Sequence, residues 1–257
     1  MTPFFPSEFP LAQLSQLRVR VIDEANMGTL ARRSINLKAL NISDICVNRK
    51  ISDDILVLPT AYLLETLTVR LRRVNGVTAT VFPFFKGPWA YFGHFMAFVQ
   101  RSSFPLTNLF IERVNLPDSS MVHLLAHVPT LLDFTLIDTN VPPEESPITE
   151  GLIESLHAYR YQNTSLRPLN GPLLPRLRSL KLTYNGVVFN DQAVVDMIKS
   201  RWTSDFNSNR EVDCLRSFTM TYRRRKKVLG VYDVLDHIEK DGMRLVILWR
   251  DDLARSR

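Results

Sequence analysis

The chain has 257 residues, 45% hydrophobic and 23% charged, with a formal net charge of +6. That balance excludes a wholly disordered or collagen-like chain and leaves ample material for a core. Glycine is scarce, 9 residues against 15 prolines, and no spacing fits GxG, GxxxxGK or GxSxG, which excludes dinucleotide fingerprints, phosphate loops and nucleophile elbows of standard form.

The N-terminal MTPFFPSEFPLAQL has neither a basic start nor a continuous apolar run, so it does not read as a signal peptide. No stretch approaches the roughly 20 apolar residues of a membrane helix. From there one short pattern keeps returning. It runs Leu14-x-x-Leu17-x-Val19, Leu37-x-x-Leu40-x-Ile42, Leu64-x-x-Leu67-x-Val69, Leu106-x-x-Leu109-x-Ile111 and Leu131-x-x-Phe134-x-Leu136. Late copies are Leu177-x-x-Leu180-x-Leu182 and Leu215-x-x-Phe218-x-Met220, and Leu245-x-Ile247-x-Trp249 ends the series. The alternating part has period two, so each copy predicts a strand with one buried face, and the leading leucine packs beneath it.

Helices are predicted between the strands. Ala90 to Ser102 puts Phe92, Phe95, Met96 and Val99 on one face. Asp118 is expected to cap a short helix carrying Met121, Leu124 and Leu125, and Asp191 to cap Gln192 to Trp202. Val231 to Lys240 would turn Val231, Val234, Leu235 and Ile238 inward and stop at Asp241-Gly242. The seven leading leucines are separated by 23, 27, 42, 25, 46 and 38 residues. The longer steps require insertions, at Asn75 to Trp89, Val141 to Pro147 and Asn163 to Pro175, and a polar linker from Thr203 to Arg210.

Strand followed by helix, repeated, predicts an α/β leucine-rich-repeat architecture: a right-handed βα solenoid, or horseshoe, of irregular repeat length, with parallel strands on its concave face. Residues 1–257 read as one such domain. Outward strand positions then form the expected protein-binding face: Arg18, Arg20, Thr68, Arg70, Asn108, Phe110, Glu112, Asp133, Thr135, Ile137, Lys181, Thr183, Thr219 and Thr221. Phe110 and Ile137 would be apolar anchors within a polar ring.

The tail carries a resemblance. DQAVVDMIKSRW (Asp191 to Trp202) is followed by a polar gap, then VDCLRSF (Val212 to Phe218), a basic segment, the helix Val231 to Lys240 and Asp241-Gly242-Met243-Arg244-Leu245. With LPRLRSLKL (Leu174 to Leu182), this order is similar to the leucine-rich-repeat region of F-box proteins from mushroom-type (basidiomycete) fungi. The match is good over Leu174 to Trp249 and only generic over Phe9 to Asn140. The resemblance implies substrate recognition in a ubiquitin ligase. The F-box module, which binds a Skp adaptor, is not expected in this chain, because Leu14 already belongs to a repeat.

Other chemistry is weakly signalled. Five positive charges fall in one run, Arg223, Arg224, Arg225, Lys226 and Lys227, and removing them lowers the surplus from +6 to +1. The run reads as a solvated connection or an import signal, and nucleic-acid binding through it is an alternative. His123 and His127 have helical spacing but lack the glutamate of a zinc-binding HExxH. A hydrolase-like α/β enzyme using scattered His94, His123, His127 and His157 with carboxylates is a second alternative. Acid pairs at Asp53-Asp54, Glu144-Glu145 and Asp251-Asp252 suit solvated loops. The dense aromatics Phe82, Phe84, Phe85, Trp89, Tyr91, Phe92 and Phe95 suit an insertion packed on the repeats. Cys46 and Cys214 read as small buried hydrophobes. The expectation is a non-catalytic monomer of the cytoplasm or nucleus that binds a protein partner, without cofactor, metal or membrane.

Overall fold

A computed structural model describes residues 11–19, 36–43, 63–70, 92–139, 141, 143–158, 171–202, 212–228 and 230–250. Among the described residues eight strands occupy the eight predicted places: β1 (Gln16–Val19), β2 (Ala39–Ser43), β3 (Thr66–Arg70), β4 (Asn108–Glu112), β5 (Asp133–Ile137), β6 (Ser179–Tyr184), β7 (Ser217–Tyr222) and β8 (Arg244–Trp249). They order as one all-parallel sheet in chain order, β1 to β8. Helices alternate with the later strands: α1 (Phe92–Ser102), α2 (Asp118–Ala126), α3 (Glu150–Ser155), α4 (Asp191–Arg201) and α5 (Asp236–Lys240). The chain forms two compact units, 1–111 and 112–257.

In the first unit β1, β2 and β3 pair in parallel, with Leu17 beside Leu40 and Leu40 beside Leu67. Leu64, Leu67, Val69, Leu106, Leu109 and Ile111 are buried, as are Phe95, Met96 and Val99 of α1. Strands β2, β3 and β4 begin in the same way, the first with the Lys38 and Ala39 amides on the Ser15 carbonyl. The Lys38 carbonyl accepts the amides of Glu65 and Thr66, and the Glu65 carbonyl accepts those of Thr107 and Asn108. This clamp holds the leading leucine under the sheet.

The second unit repeats the arrangement. Phe134, Leu180, Phe218 and Leu245 form one row across β5 to β8. Leu131, Leu177 and Leu215 are fully covered below the strands, each burial worth about 1.5–3 kcal/mol. The Leu132 carbonyl accepts the amides of Arg178 and Ser179, and the Arg178 carbonyl those of Arg216 and Ser217.

The helix starts differ from the sequence reading. Asp118 and Asp191 are each the first residue of their helix, not the cap. Asn190 caps α4, its extended backbone letting the side chain accept the Ala193 amide at 3.3 Å. Pro117 precedes α2 without a side-chain cap. The predicted helix 231–240 is a 3₁₀ turn, Asp233–Leu235, followed by α5, so Val234 points outward at 47% exposure while Leu235 and Ile238 are buried.

Ser200 and Arg201, at the end of α4, have structural work. Arg201, 1% exposed, donates Nε to the Leu156 carbonyl, Nη1 to Leu174 at 3.1 Å and Nη2 to Leu173 at 2.5 Å. Ser200 Oγ accepts the Ala158 amide and donates to the Met197 carbonyl. Together they tie α4 to the end of α3 and to the turn before β6.

Candidate functional site

The outward strand positions fall into registered rows. In the second unit one row is Asp133, Ser179, Ser217 and Arg244; the next is Thr135, Lys181, Thr219 and Val246; the third is Ile137, Thr183, Thr221 and Leu248. Asp133 and Lys181 are exposed, and Thr135, Ile137 and Thr219 are half-buried. Thr183 and Thr221 correct the sequence reading: at 8% and 7% exposure they are covered and offer little to a partner. They lie near the strand ends, each one residue before the closing Tyr184 or Tyr222.

In the first unit Arg18 is exposed, and Thr68, Arg70, Asn108 and Phe110 are half-buried. The Arg70 guanidinium sits 4.6 Å from the centre of the Phe110 ring, a cation–π contact across neighbouring outward positions. Glu112, half-buried, pairs with Arg113 at 3.3 Å. Arg20 lies outside the described residues, as do Phe82, Phe84, Phe85, Trp89, Tyr91, Cys46, Asp53-Asp54 and Asp251-Asp252.

The basic run is not the uniformly solvated connection that its composition suggests. Arg225 turns inward and donates Nη1 to Asp191 Oδ1 at 2.8 Å and Nη2 to Oδ2 at 2.5 Å. The hydroxyls of Tyr222 and Tyr232 reach the same Oδ1 at 2.9 and 2.8 Å and each other at 2.5 Å. Burial raises the pKa of both tyrosines. For Arg225 burial opposes the charge, but the bonds and charge of Asp191 outweigh it and raise its pKa. Trp249 stacks 6.0 Å from Tyr222, and the Lys227 ammonium lies 5.6 Å from its ring centre. Arg224 and Lys226 are exposed.

A second buried acid lies at the end of β5. Asp138 is 0% exposed and accepts the Ser146 hydroxyl, whose oxygen in turn accepts the Ile148 amide at 3.1 Å. Asn185 holds the Val141 carbonyl beside it at 3.2 Å. Burial pushes the Asp138 carboxyl up to about 7, against the opposing pull of the Ser146 hydroxyl, backbone amides and the Arg223 charge.

Among the described side chains, His123 and His127 neighbour each other and His157 lies apart from them. His123 and His127 are exposed with rings 4.7 Å apart, and burial, then the His127 charge, lowers the His123 pKa. His157 is half-buried on another turn, and the side chain of His94 lies outside the described residues. Glu144 is exposed, and Glu145 accepts an Asn115 amide hydrogen at 2.6 Å. Cys214 is a half-buried free thiol. Among the described residues no group of three His, Cys, Asp or Glu side chains could hold a metal ion, and no helix is long and apolar enough to cross a membrane.

The sequence reading missed Asp138, Tyr222 and Tyr232 and took Asp191 for a cap. The signal available was a carboxylate opening a helix and tyrosines ending or following strands, which is too common to single out. No family model, curated protein or solved structure matches the chain.

Proposed function

We propose that the chain is a non-catalytic leucine-rich-repeat solenoid that binds a protein segment across the outward face of its strands. The observation that supports this reading most directly is the register: Thr135, Lys181 and Thr219 lie side by side on consecutive parallel strands. Such a row presents a line of hydrogen-bonding groups, one per strand and about 4.8 Å apart, that a segment crossing the strands can meet. The resemblance of the tail extends the proposal to substrate recognition in a ubiquitin ligase, with any Skp-adaptor contact made by a module other than these repeats. A cytoplasmic or nuclear monomer belongs to the same reading.

Site-specific photocrosslinking tests it. A photoreactive residue at Lys181 or Thr219 is expected to trap one protein species that a residue at Gln192, exposed on α4, does not trap. Thr135→Arg with Lys181→Glu should abolish that product. Crosslinks from Gln192 alone would overturn the assignment of the face. Purified chain should not retain a purified Skp adaptor; retention would place the adaptor site within these repeats.

A further inference from the structure

A second surface lies where the loop between β6 and α4 meets the basic run after β7. Val187 and Val188 are 59% and 80% exposed. Their exposure is built in. The Tyr184 hydroxyl donates to the Val188 carbonyl at 2.7 Å, and the Tyr184 ring packs 4.8 Å from Phe189. At Gly186 a Cβ would stand 2.2 Å from the Tyr184 hydroxyl oxygen, so only glycine lets the loop fold back over this ring.

The same aromatic group seats the cations. Phe189 lies 6.1 Å from the Tyr222 ring, and the Arg225 guanidinium lies 5.1 Å from it on the way to Asp191. With Arg225 committed inward, Arg224, Lys226 and Lys227 are left exposed. Among the described residues no carboxylate, including Asp233 and Asp236 of the following turns, pairs with these three. The loop that bears two exposed valines and the run that bears three exposed cations thus meet on one aromatic group, where the Arg223 amide also bonds the Tyr184 carbonyl at 3.0 Å.

We propose that Val187, Val188, Arg224, Lys226 and Lys227 form a docking surface for an acidic protein segment that carries apolar side chains, separate from the strand face. Charge complementarity selects the carboxylates and the valine pair selects the apolar residues. Single-stranded nucleic acid fits less well, because stacking needs open rings and Tyr222 and Tyr232 are buried at 0% and 8% exposure.

The test uses the full chain and fluorescence anisotropy with a labelled short peptide alternating glutamate and leucine. Comparison probes are a glutamate–serine peptide, a lysine–leucine peptide, oligothymidylate and phosphatidylserine vesicles. The glutamate–leucine peptide is expected to bind, and the others to bind at least roughly tenfold more weakly. Val187→Ser with Val188→Ser, and separately Arg224→Gln with Lys226→Gln and Lys227→Gln, should each weaken binding by roughly tenfold or more without changing the melting temperature. Only the first variant should keep the salt dependence. Lys181→Glu should leave peptide binding unchanged, which separates this surface from the strand face. Equal binding of the glutamate–serine peptide, tighter binding of oligothymidylate or vesicles, or no binding of the glutamate–leucine peptide would each overturn the proposal.

Discussion

Asp191 and Arg225 meet in two parallel hydrogen bonds of 2.8 and 2.5 Å, joining the first turn of α4 to the segment after β7. Their side chains are 7% and 14% exposed, so water does little to screen the pair. A buried ion pair is costly to break from one side, because the other charge stays behind. Arg225→Met should therefore destabilise the second unit by about 3–5 kcal/mol. Asp191→Asn combined with Arg225→Met should cost less than the sum of the single changes. Urea unfolding of the four proteins completes the cycle, and additive losses would mean that the pair does not couple.

The two tyrosine hydroxyls beside that pair carry two protons for three close contacts. One hydroxyl can donate to Asp191 and the other either to Asp191 or to its neighbour, so only two hydrogen bonds form at once. Tyr222→Phe and Tyr232→Phe should each remove one bond, costing about 1 kcal/mol apiece, and the double variant should cost their sum. Three simultaneous bonds would make the double variant cheaper than that sum. Thermal or urea unfolding distinguishes the two outcomes.

Asp138 predicts a pH dependence of stability. Its carboxyl is raised from 3.8 to about 7, so between those values the folded state holds a proton that the unfolded state releases. The associated stability is fully present below about pH 4 and is lost as pH rises to about 7, by an amount on the order of 4 kcal/mol. The nearest charged and titratable neighbours are Arg223, which opposes the shift, and Tyr184. Asp138→Asn should flatten the fall in melting temperature between pH 5 and pH 7. An unchanged slope would show that Asp138 is not the titrating group.

Arg201 predicts a cost of a different kind. Its planar fork satisfies carbonyls of Leu156, Leu173 and Leu174, and Leu174 holds a left-handed backbone at φ 50°. An ammonium cannot reproduce that fork. Arg201→Lys should destabilise by about 2–3 kcal/mol, since buried carbonyls lose their donors. Hydrogen exchange should be faster at the Leu215 amide, which bonds the Arg201 carbonyl, and at the Leu156 amide, which closes the helix end that Arg201 holds. Protection equal to wild type would overturn the reading.

All eight strands were legible, because burial on one sheet face imposes a period of two on Leu, Phe and Met, and that period survives any connection length. Helix starts were less legible. Asp191 has the residue type of a cap, yet Asn190 takes that place because its extended backbone aims its oxygen at the Ala193 amide. The partners of Asp191 lie 31, 34 and 41 positions away, a separation that no local pattern encodes. The covered Thr183 and Thr221 follow strict alternation, which marks the side of the sheet but not whether anything covers it. The basic run looked uniform in composition, but tertiary pairing divides it into one inward arginine and several outward cations.

The paired-amide clamp that opens β2, β3, β4, β6 and β7 has a consequence for how such a protein can change over generations. Among the described residues β6 and β7 each pair with the strand before and the strand after, and β8 pairs with β7. Lengthening a connection adds closure entropy only logarithmically, so steps of 46 and 38 residues coexist with an unbroken register. A strand with its helix is thus a cassette that duplication can insert or deletion remove. The flanking strands would rejoin through the same paired amides, and a lineage could extend the sheet one strand at a time.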